Sequence, residues 1–245
     1  MSISNLMITK KLILSLVALV AAISNLQAHA LWIQTSTTGA AGKEQQVKII
    51  YAEPDQKPEK LSEWYSDVKE FELWLTAPDG KKEKLPTVAD EDFFTSKFTP
   101  AREGIYTISI GHTAKEPGGT TVYQFNASAL VKVGKASTGN DATLNKNDLS
   151  VFANASQTYK VNKPLTLNTL YKNAPGEKIA VTVSSPSGWS KQIETNAEGI
   201  AEFTPIWPGT YYIEASKSWK ESGTQNGKEY KAVWRAATLL VDVSK

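Results

Sequence analysis

Phe98-Thr99-Pro100, with Gly104 and Tyr106 after it, returns as Phe203-Thr204-Pro205 with Gly209 and Tyr211, at a constant offset of 105 residues. Upstream, Thr76-Ala77-Pro78-Asp79-Gly80 answers to Ser184-Ser185-Pro186-Ser187-Gly188; downstream, Leu130-Val131-Lys132-Val133 answers to Leu240-Val241-Asp242-Val243. A period this long is a whole domain duplicated rather than a solenoid unit. Within each copy the apolar residues alternate: Phe71, Leu73 and Leu75 with Glu70, Glu72 and Trp74, and Ile179, Val181 and Val183 with Ala180, Thr182 and Ser184. That is the period of a half-buried strand. Turn signals punctuate the strands at Pro78-Asp79-Gly80, Pro117-Gly118-Gly119, Pro175-Gly176, Pro186-Ser187-Gly188 and Pro208-Gly209. The pattern predicts an all-β chain of two tandem immunoglobulin-like β-sandwich domains.

The copies occupy residues 29–134 and 149–245. Residues 135–148, rich in Gly, Ser, Thr, Asn, Asp and Lys, read as a linker. Residues 1–28 read as a secretory signal peptide: Lys10 and Lys11, a short apolar run from Leu12 to Ile23, then small and polar residues to Ala28. The run is shorter than the ~20 residues of a comfortable membrane span. The expectation is therefore a periplasmic or secreted protein with no stable membrane insertion after cleavage. The chain has no cysteine, so its stability comes from packing without disulfides. Removing Lys10 and Lys11 from the 27 basic residues leaves 25 against 25 acidic ones. That balance argues against nucleic acid or an anionic membrane surface as partner.

The signal ends in Ala28-His29-Ala30-Leu31-Trp32, where two cuts satisfy the small-residue rule. A cut after Ala30 releases Leu31. A cut after Ala28 releases His29, whose free amine and imidazole Nδ1 can close a chelate ring on a divalent metal. An α-amine with a pKa of about 8 gives up its proton to a metal near neutrality at modest cost. The only other histidine is His112, at strand parity with Tyr106, Ile108 and Ile110; the second copy has Lys217 in its place. Any metal site therefore belongs to the first copy. His29 and His112 together offer three nitrogens, a histidine brace suited to Ni(II), Co(II), Cu(II) or Zn(II). The carboxylates available to complete the shell are Glu53, Asp55, Glu63, Asp67 and the Asp90-Glu91-Asp92 cluster.

The opening His29-Ala30-Leu31-Trp32-Ile33 after a signal, followed by a β-rich domain with Gly104-x-Tyr106 and Gly111-His112, resembles periplasmic β-sandwich proteins associated with nickel or cobalt transport. Members of that family often open with a His-Ala-His or His-Asp pattern before a Trp; this chain has Ala30-Leu31 there. It is also similar to periplasmic copper carriers whose mature N-terminus is histidine. The resemblance implies a metal-handling envelope protein that binds nickel or cobalt, or copper, and works with a membrane metal transporter. The competing expectation is a structural or adhesive tandem module that binds no metal. A minor one is copper-dependent oxidative chemistry.

Enzymatic activity is not expected. The chain lacks a Gly-x-Ser-x-Gly elbow, a phosphate-cradling glycine loop and a His-Glu-x-x-His motif. Seven tryptophans could form a stacking surface for sugars or peptides, but tryptophans at strand positions are more often core. Glu63-Trp64-Tyr65-Ser66-Asp67 is the most conspicuous polar-aromatic cluster, placed to line a site near the N-terminus. Asn126-Ala127-Ser128 and Asn154-Ala155-Ser156 match the glycosylation pattern, which carries little weight in a bacterial-looking chain.

Overall fold

The computed structural model describes residues 29–54 and 56–245. The expected signal peptide and Asp55 lie outside them. Among the described residues there is no α-helix, only two short 3-10 turns, Val68–Glu70 and Ala142–Leu144; none is long and apolar enough to cross a membrane. The chain is all-β, as the alternation predicts.

The first lobe runs through β1 (Ala30–Gln34), β2 (Thr38–Gly39), β3 (Gln45–Ala52), β4 (Leu73–Thr76), β5 (Lys82–Leu85), β6 (Val88–Ala89), β7 (Phe93–Phe98), β8 (Gly104–Thr113) and β9 (Thr121–Val133). The second follows with β10 (Leu149–Ala153), β11 (Tyr159–Lys160), β12 (Leu165–Tyr171), β13 (Ala174–Pro175), β14 (Ala180–Ser184), β15 (Ser190–Glu194), β16 (Ile200–Phe203), β17 (Gly209–Trp219), β18 (Gly223–Gln225), β19 (Lys228–Tyr230) and β20 (Ala232–Ser244). In the first lobe a small sheet β1-β3-β7-β6 faces β5-β4-β8-β9-β2 across one core; in the second, β10-β12-β16 with β13 at its edge faces β15-β14-β17-β20-β11 across another. In both lobes a two-residue strand, β2 or β11, pairs in parallel with the last long strand, β9 or β20. The first strand of each lobe thus crosses from one sheet to the other, an immunoglobulin-like arrangement.

The repeated motif is a corner. Tyr106 Oη accepts the Arg102 N–H at 3.2 Å and donates to the Arg102 carbonyl at 3.1 Å; Tyr211 Oη does the same with Trp207 at 3.2 and 3.0 Å. This tyrosine corner ties the start of the strand to the turn before it. The repeated glycine is required beside it. Gly104 has φ 134° and Gly209 φ 130°, and a Cβ would stand 2.6 Å from Pro78 in the first lobe and 2.8 Å from Pro186 in the second. The repeated prolines of the two turns are the atoms that demand those glycines.

The lobes are joined within one sheet. β9 and β20 pair in parallel from Thr121↔Ala232 to Ser128↔Leu239, making a ten-stranded sheet that crosses both lobes. Paired residues point to the same face of a sheet. Ala127, in the first core, is paired with Thr238, and Asn126 with Ala237, in the second core. The two cores therefore lie on opposite faces of the shared sheet. Thr238 Oγ1 donates to the Leu31 carbonyl at 2.5 Å, and Leu240 packs with Ala30 and Trp32, so β1 of the first lobe lies over β20 of the second. Reciprocally, Leu130 of β9 packs on the second core. Residues 135–148, read from composition as a linker, are packed on both lobes: Thr138 O accepts the Ile105 N–H, Asn147 Nδ2 donates to the Ile110 carbonyl, and Asn140 Oδ1 accepts the Ala155 N–H.

Removing either corner hydroxyl takes two hydrogen bonds from a part-buried turn, a loss of about 0.5–1.5 kcal/mol. Tyr106→Phe and Tyr211→Phe are each expected to lower stability by that amount in urea unfolding. With the shared sheet, both lobes should melt in one transition whichever corner is cut; two resolved transitions would contradict the coupling.

Candidate functional site

His29 and His112 come to the same end of the first lobe. His29 precedes β1, and His112 is one residue from the end of β8, which runs antiparallel to β9 with His112 opposite Phe125. The segment 56–72, between β3 and β4, covers this end. It is nailed down by the Glu59 N–H to the Tyr51 carbonyl (3.0 Å), Trp64 Nε1 to the Glu59 carbonyl (3.0 Å) and the Leu61 N–H to the Glu91 carbonyl (3.0 Å). Trp64 is buried among Tyr51, Phe71 and Phe94. Its burial is what makes a polar segment a fixed cover.

That cover brings one carboxylate to each histidine. His29 Nε2 lies 2.9 Å from Glu59 Oε1, its ring stacked on Tyr51 at 5.6 Å. His112 Nε2 lies 3.3 Å from Asp67 Oδ1, both side chains about nine-tenths buried. Tyr51 in turn packs on Phe125, so a run of rings links the first histidine to the strand partner of the second. Asp67 is fixed by the Lys115 N–H at 2.9 Å and by Ser66 Oγ at 3.2 Å. Two buried atoms here have no hydrogen-bond partner among the described residues: His112 Nε2, which faces Asp67 without hydrogen-bond alignment, and Asp67 Oδ2, whose nearest cation, Lys115 Nζ, is 3.7 Å away.

Burial alone would raise the Asp67 pKa, but the Lys115 N–H and the facing imidazole hold it below the ordinary carboxylate value. Around His29 the balance is reversed. Burial pushes Glu53 up, with His29 opposing and Glu59 adding to the rise, and Glu53 Oε1 is buried without a partner. Across the lobe boundary, burial first and Glu53 second push Glu214 of β17 up to about 7. Glu53 and Glu59 thus lie near His29, and Glu214 near Glu53.

Of the carboxylates named from sequence, Asp67 and Glu53 lie at the histidines, whereas Glu63 is exposed and Glu91 pairs with Lys60 at 2.9 Å. Asp55 lies outside the described residues. Glu59, which holds His29, was not among them; no motif marks it, and only the fold of 56–72 brings it there. The Glu63 to Asp67 cluster divides, with Trp64 in the core and Asp67 at the site. Lys217, the second-lobe counterpart of His112, donates to the Glu177 carbonyl on the surface. Of the tryptophans, Trp32 and Trp64 are core and Trp189 is exposed. Asn126 is buried in the shared sheet and donates to the Ala236 carbonyl, which removes it as a glycosylation acceptor. Among the described residues, no three His, Asp or Glu side chains are gathered closely enough to hold a metal ion by themselves.

A family model described as a domain of unknown function, DUF4198, matches residues 26–218. The chain belongs to the DUF4198 family. The DUF4198 match takes in both histidines and the covering segment, and it ends within β17. No curated protein matches the sequence. Among solved structures, Salmonella alpha-2-macroglobulin reacted with methylamine aligns over 87% of the chain at 10% identity, with a TM-score of 0.26. A point mutant of that protein aligns over 85% at 11% identity, also with a TM-score of 0.26. The chain spans about 15% of the length of these much larger proteins.

A carboxyl group whose folded pKa is raised binds its proton more tightly in the native state. Its contribution is complete below the unfolded value of 4.5 and is lost as pH rises toward about 7. Wild-type stability should therefore fall between pH 5 and pH 8 through Glu214. Glu214→Gln should flatten that slope and be the more stable protein at pH 8; an unchanged slope in urea unfolding would show that Glu214 is ionised without penalty.

Proposed function

We propose that this is an exported, transition-metal-binding protein of the cell envelope that handles nickel or cobalt, with copper as the competing ion, and that its metal is held by the His29 amine and imidazole together with His112. One observation carries the reading: the fold takes both histidines to one end of one lobe, under one segment that supplies a carboxylate to each, and leaves His112 Nε2 and Asp67 Oδ2 buried without hydrogen-bond partners. Buried polar atoms without partners cost free energy, and a bound cation would satisfy both. Imidazole, amine and carboxylate suit Ni(II), Co(II), Cu(II) and Zn(II).

The side chains alone are too few, so the reading needs the α-amine that cleavage after Ala28 would release. The packing of β1 favours that cut. Ala30 is 1% exposed and paired with Ala52. Cutting after Ala30 would remove it and put an ammonium on Leu31 against the core, where an unpaired charge is expensive. Cutting after Ala28 leaves β1 whole and puts the new terminus on His29, whose imidazole meets Glu59. The resemblance to nickel- and cobalt-associated periplasmic proteins agrees with the metal as cargo for a membrane transporter. A second reading, a rigid structural or adhesive module without metal, draws support from the sheet shared by the lobes.

The test uses protein beginning at His29, titrated with Ni(II), Co(II) and Cu(II) and followed by calorimetry. One equivalent should bind, and His112→Ala should weaken it by at least ~10-fold with an unchanged circular dichroism spectrum. A variant that binds as tightly removes His112 from the site, and a wild-type chain that binds nothing leaves the structural module.

A further inference from the structure

The connection between β17 and β20 in the second lobe is longer than its counterpart between β8 and β9. It rises into the hairpin β18–β19, turned by Asn226 (φ 49°) and Gly227 (φ 77°), both in the left-handed region that a two-residue hairpin turn requires. Because β9 and β20 are neighbours and run the same way, this hairpin stands beside the first lobe's turn 114–120 and grips it. Gln225 Nε2 donates to the carbonyl of Ala114 and, at 3.2 Å, to that of Lys115; Asn226 Nδ2 donates to Glu116 Oε1, which is joined to the hairpin again by Lys228 Nζ to Glu116 Oε2 at 2.8 Å. At its base the Lys231 and Ala232 N–H groups both donate to the Thr120 carbonyl, at 2.8 and 3.2 Å.

One of these contacts reaches the histidine site. The Ala114 carbonyl and the Lys115 N–H belong to the same planar peptide unit, and in a trans peptide they point in opposite directions. Gln225 holds the oxygen of that unit, and its N–H holds Asp67 Oδ1 at 2.9 Å, which faces His112 at 3.3 Å. A donor on the oxygen fixes the plane of the peptide and polarises its N–H, strengthening the bond on the other side. We infer that the second lobe's hairpin is a clamp on the first lobe's histidine site, with Gln225 the positioning residue that fixes the Ala114–Lys115 peptide and, through it, the Asp67 carboxylate. The clamp lies beyond residue 218, where the family match ends. Its importance for metal rests on the function proposed above, whereas its contacts exist without metal.

The test compares wild type with Gln225→Glu, which keeps the volume and loses the donors, and Gln225→Ala, which loses both. In metal-free protein, the Lys115 amide should exchange with deuterium at least ~10-fold faster in both variants, because its partner Asp67 is no longer held opposite a fixed peptide. The amides of Phe125 and Ala237 in the shared sheet should keep their wild-type rates. With Ni(II) as probe, affinity should fall by about 10–100-fold, the usual effect of losing a group that orients a ligand. Wild-type exchange at Lys115 in both variants overturns the clamp, as does faster exchange spread equally over the shared sheet, which would mean general destabilisation. If wild-type protein takes up no Ni(II), the metal function falls, and the Lys115 exchange rate still decides the clamp.

Discussion

The parallel pairing of β9 with β20 is the constraint on which the rest of the molecule depends. Two sandwiches joined by a chain segment could sit in many relative positions; two sandwiches that share a sheet have one. Pairing Ala127 with Thr238 puts the cores on opposite faces, so each lobe's first strand packs over the other lobe's last long strand. The same pairing sets the turn after β8 next to the turn after β17. A hairpin grown from the second lobe therefore lands on the first lobe's turn 114–120, whose Lys115 N–H holds Asp67. The joint carries small residues toward its middle, at Ala127, Ser128, Ala236 and Ala237, and large ones, Tyr123, Phe125 and Trp234, toward the end that bears the hairpin.

Much of the fold was legible in the residues, and the reason is local. Strand parity at Phe71 to Leu75 and Ile179 to Val183, and the repeated Phe-Thr-Pro, Gly and Tyr, report backbone and corner geometry that each lobe must solve for itself. The joint between the lobes was not legible. Leu130-Val131-Lys132-Val133 and Leu240-Val241-Asp242-Val243 read as ordinary last strands, and nothing in them tells whether the free edge meets solvent or another strand. The segment 135–148 illustrates the same limit: its small polar residues suit a tether, yet they are used as hydrogen-bonding groups against Ile105, Ile110 and Ala155. The hairpin turn at Asn226-Gly227 was not picked out from sequence, and its landing place is set by the shared sheet.

At the site, sequence picked out both histidines because there are only two, and strand parity placed His112 correctly at the end of an inward face. The carboxylates resisted, because their selection depends on how 56–72 folds over the lobe. Trp64 anchors that cover, and the anchor decides that Glu59 meets His29 and Asp67 meets His112 while Glu63 points to solvent. The electrostatics follow. Asp67 is stabilised as an anion by a peptide N–H, whereas Glu53 and Glu214 are pushed toward protonation by burial, with a neighbouring carboxylate adding to the rise.

The central claim is that the functional chain begins at His29 and carries a metal there. Its most direct test is the intact mass of the mature protein isolated from its host's envelope under conditions that keep bound metal. The account predicts a chain starting at His29 with the added mass of one divalent ion, which also identifies that ion. A chain starting at Leu31, or one starting at His29 without metal, would contradict it and leave a rigid two-lobed structural module in its place.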